Sequence, residues 1–301
     1  MNLTSPKEIK ELLKKYNAAA LKQLGQHFLV DKGVLRKIIE AAGLNPKDTV
    51  LEIGPGIGVL TQALAQKAGK VIAIEKDQKM CEILRETLKD FKNVEVVRND
   101  ILKIENSKLI KNWELKIGNY KVVANLPYYI TSPVIRKFLE ADNPPKEMVL
   151  MVQKEVAQRI CAKPPDMNLL AVSVQFYVHP VKSSEAGAKQ FNGASPKIIT
   201  YVSKKSFWPE PKVNSAIIKI SKIKYQKSKT FSANFFKVVR AGFSQPRKQL
   251  INNLSNGLKK SKEEIKKWLL ENKILPQQRA ETLSIDDWIS LTKTYPAPFL
   301  N

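Results

Sequence analysis

The stretch TVLEIGPGIGVL (residues 49–60) decides how the chain is read. A short β-branched run stops at Gly54, Gly56 and Gly58, and helical spacing begins at Leu60. Glycines let the backbone turn tightly and let a ligand approach where a Cβ would block it. A dinucleotide fingerprint would read G-x-G-x-x-G. This one reads G-x-G-x-G with Glu52 just ahead of it. Alone the pattern also suits an ordinary tight turn, so the flanking sequence has to decide.

Working outward, KVIAIE (70–75) reads as the next strand and ends in Glu75, 21 residues after Gly54. An acid there can accept hydrogen bonds from both hydroxyls of a ribose. VEVVRND (94–100) is a third strand, with Asp100 placed to meet an adenine amino group, and YKVVANLP (120–127) a fourth. Helical periodicity over 34–42, 60–68 and 79–88 separates them. Short strands alternating with helices predict an α/β fold, a parallel sheet covered by helices. Ligands of such sheets sit at the carboxyl ends of the strands, where residues 52–58, Glu75, Asp100 and Asn125 all fall. An unpartnered buried carboxylate is costly. One acid at a strand end is as readily a helix cap, but three along one edge imply a polar or cationic ligand.

Asn125-Leu126-Pro127-Tyr128 carries the chemistry. The lone pair of an aromatic amino group is delocalised into its ring, which makes the nitrogen a poor nucleophile. An Asn side-chain oxygen and a backbone carbonyl can both accept from that N–H₂ and favour a more tetrahedral nitrogen. Proline fixes the turn that presents the carbonyl, and Tyr128 offers a face on which an extruded base can stack. None of the four is a competent base at neutral pH, which suits catalysis by alignment and electrostatics. Outside this context N-x-P-Y would be an ordinary β-turn.

Beyond it, 155–162 reads as a helix, LAVSVQFY (170–177) as a strand, 182–197 as an exposed loop and 207–220 as a Pro-rich lead into a strand. Lysine-rich 221–230 is the domain boundary, giving domains 1–224 and 225–301, with a basic amphipathic helix at 5–24. Helical segments at 232–242, 247–254, 261–271 and 285–293 fill the second domain. In all, 51 Lys+Arg against 28 Asp+Glu give a net charge of +23, which points first to a polyanionic partner. No apolar run approaches the roughly 18–20 residues that span a bilayer. Cys81 and Cys161 lie outside any CxxC, so free thiols in a reducing, cytoplasmic setting are expected. His27 and His179 lack partners at metal-ligand spacing, so no metal is expected.

The residues resemble a family, the ribosomal RNA adenine N6-dimethyltransferases of the KsgA type. The resemblance rests on LGQHFLVD (24–31), LEIGPGIGVLT (51–61), IAIEKD (72–77), NDIL (99–102), ANLPYYITSPVI (124–135), QKEVAQRI (153–160), FWPEPKVNSAI (207–217), FSQPRKQLINNL (243–254) and RAETLSIDDW (279–288), in that order. It implies a Rossmann-like class I methyltransferase sheet that takes S-adenosylmethionine as cofactor, with a smaller helical C-terminal domain. It also implies dimethylation of N6 on two adjacent adenines near the 3′ end of 16S ribosomal RNA, in the assembling small subunit; the sequence does not set the oligomeric state, and a monomer is the expectation. Carried over by position, His27 and Leu29 enclose the cofactor, Gly54 and Gly56 approach its methionine portion, Glu75 its ribose and Asp100 its adenine. Asn125 bridges cofactor and target nitrogen, with Leu126 or Pro127 supplying the carbonyl. Tyr128 and Phe207 stack on the flipped base from opposite sides.

Three departures stand against the pattern. His27 sits where many relatives have Asn, Pro246 replaces a further Arg, and the stretch around 183–197 is longer. Arg240, Arg247 and Lys248, with Lys259, Lys260, Lys266 and Lys267, are the candidate RNA contacts on helices of the second domain. Three rivals remain: a macrolide-resistance relative acting on large-subunit RNA, a non-catalytic assembly factor, and an NAD-dependent dehydrogenase. NLPYYITSP and RAETLSIDDW favour the small-subunit enzyme over the first. The intact Glu75, Asp100 and Asn125–Tyr128 set disfavours the second, and the missing final glycine spacing disfavours the third.

Overall fold

The computed structural model describes residues 1–20, 25–116, 118–178, 196–221, 223 and 228–295. His179, most of the 183–197 loop and most of the expected boundary at 221–230 lie outside or at the margin of these. The elements in chain order are α1 (Pro6–Lys15), β1 (Phe28–Leu29), α2 (Lys32–Ala42), β2 (Thr49–Ile53), α3 (Val59–Ala65), β3 (Lys70–Glu75), α4 (Gln78–Thr87), β4 (Val94–Arg98), α5 (Asn106–Trp113), β5 (Tyr120–Asn125), α6 (Thr131–Leu139), β6 (Glu147–Gln153), α7 (Lys154–Ile160), α8 (Leu169–Val178), β7 (Lys197–Val202), β8 (Phe207–Trp208), β9 (Ser215–Ser221), α9 (Lys229–Gly242), α10 (Leu250–Leu258), α11 (Lys262–Glu271) and α12 (Ile285–Lys293).

Contacts divide the chain into two compact units. The first is Met1–Gln158 with Ala194–Tyr225, the second Arg159–Gly193 with Gln226–Asn301. The division differs from domains at 1–224 and 225–301, because the chain leaves the first unit at Arg159 and returns to it. The reason lies in 170–177, which is not a strand but part of helix α8. LLAVSVQFYV is apolar all round, so it carries no period that separates strand from helix. Its Ala171, Val172 and Phe176 pack with Phe235, Val239, Leu254, Trp268 and Trp288 in the core of the second unit. Phe176 and Phe235 stack with ring centroids 3.9 Å apart.

In the first unit a seven-stranded sheet runs β4-β3-β2-β5-β6-β9-β7. The pairs from β4 to β5 are parallel, as the alternating pattern predicts, and β6, which that pattern did not show, adds parallel to β5. β9 and β7 add antiparallel to β6. From β2 the chain builds β3 and β4 to one side and β5 and β6 to the other, so the topological switch point lies between β2 and β5. Ligands of doubly wound sheets bind in the crevice this reversal opens.

Local chemistry sets the boundaries. Asp31 and Asp77 cap α2 and α4 by accepting from N–H groups of the first turn, and Gly43 closes α2 in the left-handed region. α1 starts at its Ser5 cap but stops at Lys15, short of the expected 5–24, because Asn17 takes a left-handed φ of 48°. Its Ile9, Leu12 and Leu13 are buried with Phe28, Ile57, Val59 and Met80. At the amino edge of the sheet, buried Lys121 donates to the Ala42 and Gly43 carbonyls at 2.9 Å. Its ammonium also lies 3.3 Å from both Asp48 and Glu147. That group stabilises the carboxyl end of α2, where the helix dipole favours a cation.

Candidate active site

The carboxyl ends of β2, β3, β4 and β5 surround a cavity of about 260 Å³ lined by, among others, His27, Leu29, Glu52, Gly54, Gly56, Glu75, Asp100 and the run Asn125–Tyr128. Every residue expected to hold a cofactor lines it. The glycine loop is shaped by two close approaches. Gly54 has φ +67° and its missing Cβ would stand 3.4 Å from Pro127, while Gly56 has φ +60° and a Cβ there would meet the Phe28 ring at 3.2 Å. An L side chain at either position would be strained by the backbone angle alone.

Glu75 closes β3, nine-tenths buried. Its Oε2 accepts from the Gly56 N–H at 3.1 Å, and Oε1 from Lys76 and Asp77 at 2.7 and 2.8 Å. Burial pushes its carboxyl above the ordinary value, while the Asp77, Gly56 and Lys76 N–H groups pull the other way. A carboxylate offers about four lone-pair directions, so Oε2 keeps acceptor capacity toward the cavity. Glu52 is 1 % exposed, and its Oε2 has no hydrogen-bond partner. Burial, with the Glu75 charge adding to it against the Thr61 hydroxyl, pushes the Glu52 carboxyl up to about 8.

Asp100 is held at the far end. The Lys76 ammonium lies 3.0 Å from its Oδ2, and the Leu102 N–H donates to Oδ1 at 3.0 Å. Burial raises its carboxyl, but Lys76 and Leu102 together hold it below the usual range. Lys76 is a lining residue that sequence reasoning missed. Its partner stands 24 positions on, in the next strand's turn, and only the parallel pairing of β3 with β4 joins them.

The Asn125-Leu126-Pro127-Tyr128 turn forms the opposite wall. The Asn125 Nδ2 donates to the His27 carbonyl at 3.2 Å, which turns Oδ1 away as the acceptor. The Leu126 N–H donates to Met151 O at 3.2 Å, while Pro127 O accepts from the Ile130 N–H at 3.1 Å. The Pro127 carbonyl is thus engaged in its own turn. The Tyr128 ring lies against His27, with centroids 6.1 Å apart and planes at 28°. Its hydroxyl is 2.8 Å from Ser215 Oγ. The His27 Nδ1 donates to Pro209 O at 2.7 Å.

Phe207 is placed differently from the expectation. It pairs with Leu29 in the two-stranded β1–β8 ladder and is 4 % exposed. Its ring packs among Leu29, Val202 and Ile217 and does not line the cavity. The alternation of a strand sends Phe207 into the core and Trp208 to the other face, where it stacks on Phe28. His27 is the ring that faces Tyr128 here.

In the second unit, Arg240, Arg247 and Lys248 are exposed. Arg240 lies in the last turn of α9 with its guanidinium 5.8 Å from the centre of the Phe236 ring. Arg247 and Lys248 are not helical as expected. They sit in the turn before α10, which Asn253 staples by donating to Gly242 O and Gln245 O at 2.7 and 2.9 Å. Among the described residues no helix is long and apolar enough to cross a membrane.

A family model described as ribosomal RNA adenine dimethylase matches residues 17–296. The ribosomal RNA small subunit methyltransferase A of Dehalococcoides mccartyi is 43% identical over 289 residues, 96% of this chain and 92% of that protein. The protein of the same description from Geobacillus sp. is 39% identical over 297 residues, 97% of each. A solved dimethyladenosine transferase from Plasmodium falciparum matches at TM-score 0.65 and 28% identity, covering 87% of this chain and 95% of its own. The structure of 23S rRNA methyltransferase ErmE shares the fold at TM-score 0.66 and 23% identity, over 88% and 98% of the two chains.

Sheet order, glycine loop and acid-lined cleft define a class I methyltransferase that uses S-adenosylmethionine. The chain belongs to the ribosomal RNA adenine dimethylase family. The cleft suits that cofactor on its own chemistry. Gly54 and Gly56 leave backbone bare where a Cβ would intrude, and the buried Glu52 Oε2 is an orphaned polar atom on the cavity wall.

Proposed function

We propose that the protein transfers methyl groups to N6 of two adjacent adenines near the 3′ end of small-subunit ribosomal RNA, within the assembling small subunit. The observation that carries this reading is the pairing of Asn125 Nδ2 with the His27 carbonyl. With Nδ2 so engaged, Oδ1 is the Asn125 atom left to accept at a cavity that Asn125 and Leu126 both line, and on this reading the Leu126 carbonyl is the second acceptor that an exocyclic N–H₂ requires. The names of the curated relatives support the small-subunit substrate over the large-subunit one.

On this reading Glu75 accepts from the ribose hydroxyls of the cofactor, and Asp100 from its adenine amino group. Gly54 and Gly56 admit the methionine portion, with His27 and Leu29 closing the near side. When bound, the cofactor supplies an electrophilic methyl group on a sulfonium sulfur. Asn125 and Leu126 hold the target nitrogen with its lone pair forward, and Tyr128 supports the extruded base. No side chain at the turn abstracts a proton before transfer, so alignment and electrostatics supply the rate and the proton leaves to water afterwards. Arg240, Arg247 and Lys248 contact RNA phosphates.

The test is incubation with radiolabelled S-adenosylmethionine and unmethylated small or large ribosomal subunits, followed by mapping of the labelled nucleotides. Label confined to two neighbouring adenines of the small-subunit RNA supports the reading. Label on large subunits only would replace it with the macrolide-resistance activity.

A further inference from the structure

In the first unit, the sheet ends on strand β7, which pairs only with β9 among the described strands. An edge strand is normally blunted by charge or kept short. This one carries exposed apolar groups instead: Tyr201 is 53 % and Ile199 42 % exposed, and Val213 beyond β8 is 44 % exposed. A register shift between Ile198 and Thr200 marks a bulge there, and bulges re-aim side chains. Lysines are frequent in the same stretch of sequence, and two more approach β7 from other elements. Residues 197–213 hold Lys197, Lys204, Lys205 and Lys212 against the single acid Glu210, which pairs with Lys204 at 2.7 Å. Lys37 reaches in from α2, 3.5 Å from Thr200 Oγ1, and Lys154 lies 5.2 Å from the centre of the Tyr201 ring.

We infer that this β7 edge is a docking surface for ribosomal RNA, with Tyr201 as a platform on which an unpaired base stacks and these lysines contacting its phosphates. The inference rests on the RNA substrate proposed above and adds a surface in the catalytic unit to the contacts assigned to the second unit. Two arguments choose the occupant. Aromatic rings interleaved with positive charge are what single-stranded nucleic acid requires, because every base has a stackable face and every nucleotide a phosphate. The surface is also continuous with the cleft. Asn214 accepts from Lys154 N–H at 2.9 Å through its carbonyl and from Lys204 N–H at 3.0 Å through Oδ1. The next residue, Ser215, holds the Tyr128 hydroxyl. An RNA strand leaving an adenine in the cleft therefore meets Tyr201 at the same carboxyl edge of the sheet.

The experiment measures equilibrium binding of unmethylated small ribosomal subunits at several salt concentrations. It compares the wild type with Tyr201→Ala, Tyr201→Phe, Lys154→Glu and the pair Lys205→Glu/Lys212→Glu. Cofactor affinity reports folding. We expect Tyr201→Ala to raise Kd roughly tenfold and Tyr201→Phe to stay within about twofold of wild type. The lysine pair lowers the slope of log Kd against log salt by about 1.5. Unchanged Kd and slope in all variants overturn the proposal, as does a Tyr201→Phe loss equal to that of Tyr201→Ala. If Tyr201→Ala loses cofactor binding as well, the lysine pair decides. Concentration-dependent self-association abolished by Tyr201→Ala would assign the edge to a second copy of the chain and equally overturn it. Failure of the wild type to methylate small subunits would sink the substrate reading, whereas normal methylation with unaffected variants sinks only the docking surface.

Discussion

The Tyr128 hydroxyl and Ser215 Oγ lie 2.8 Å apart, joining the turn after β5 to the first residue of β9. Ser215 is fully buried, and its position is set by pairing with Gln153 on β6 and Val202 on β7. A ring whose far end is pinned cannot swing about its χ1 bond, so Ser215 positions the face that Tyr128 presents. A neutral hydrogen bond of this kind contributes about 1 kcal/mol. Ser215→Ala should therefore slow single-turnover methylation roughly fivefold while cofactor affinity is kept. Tyr128→Phe should do the same, and the double variant should be no slower than either single one. Additive losses would mean the two groups act separately.

Glu75 should carry more of cofactor binding than any other acid on the wall. Hydrogen bonds to charged groups contribute about 1.5–3 kcal/mol, so Glu75→Ala should weaken S-adenosylmethionine binding by roughly 10- to 100-fold in calorimetry. Lys76→Ala should change it less than about threefold, because its pair with Asp100 is half exposed and screened by solvent. A larger effect for Lys76 would reverse these roles.

Glu52 gives a pH signature. Its folded carboxyl, pushed up to about 8, holds a proton that the unfolded chain releases near 4.5. Between those values the native state binds more protons, so stability is highest below about 4.5 and declines as pH rises toward 8, by at most about 1.4 kcal/mol per pH unit from this group. Glu52→Gln removes the titration. Urea unfolding at pH 5 and pH 8 should show the variant gaining on wild type at the higher pH. Parallel pH profiles for the two proteins would show that the Glu52 carboxyl is ionised throughout.

Lys121 should matter for stability and not for chemistry. Its buried ammonium serves two carbonyls and two carboxylates at the edge of the sheet away from the cleft. Removing one partner of a buried charge cluster costs about 3–5 kcal/mol. Lys121→Ala should lower the urea midpoint accordingly, with single-turnover methylation by the folded fraction unchanged.

Strands β2 to β5 were legible because each is a short run that leads into a residue with chemistry: Gly54, Glu75, Asp100 and Asn125. What was hidden depended on partners distant in sequence. EMVLMVQ became β6 without being foreseen, since a buried parallel strand has no alternation to display. Helix α8 was misread for the same reason. Lys76 gains its place only through Asp100, and Ser215 only through the antiparallel return of β9. Phe207 carries its stacking role by resemblance alone, and its pairing with Leu29 and the burial of its ring depend on a strand contact that spacing could not show.

Asn125 is the residue on which the account turns, and Asn125→Ala tests it most directly when turnover and binding are measured on one preparation. On the proposed reading the side-chain oxygen aligns the target nitrogen and contributes little to holding either substrate. Single-turnover methylation of small subunits should fall at least about 100-fold, with the Kd values for cofactor and for subunits within about threefold of wild type. A loss of cofactor affinity as large as the loss of rate would contradict it, and would make Asn125 a binding residue whose oxygen never acts on the adenine.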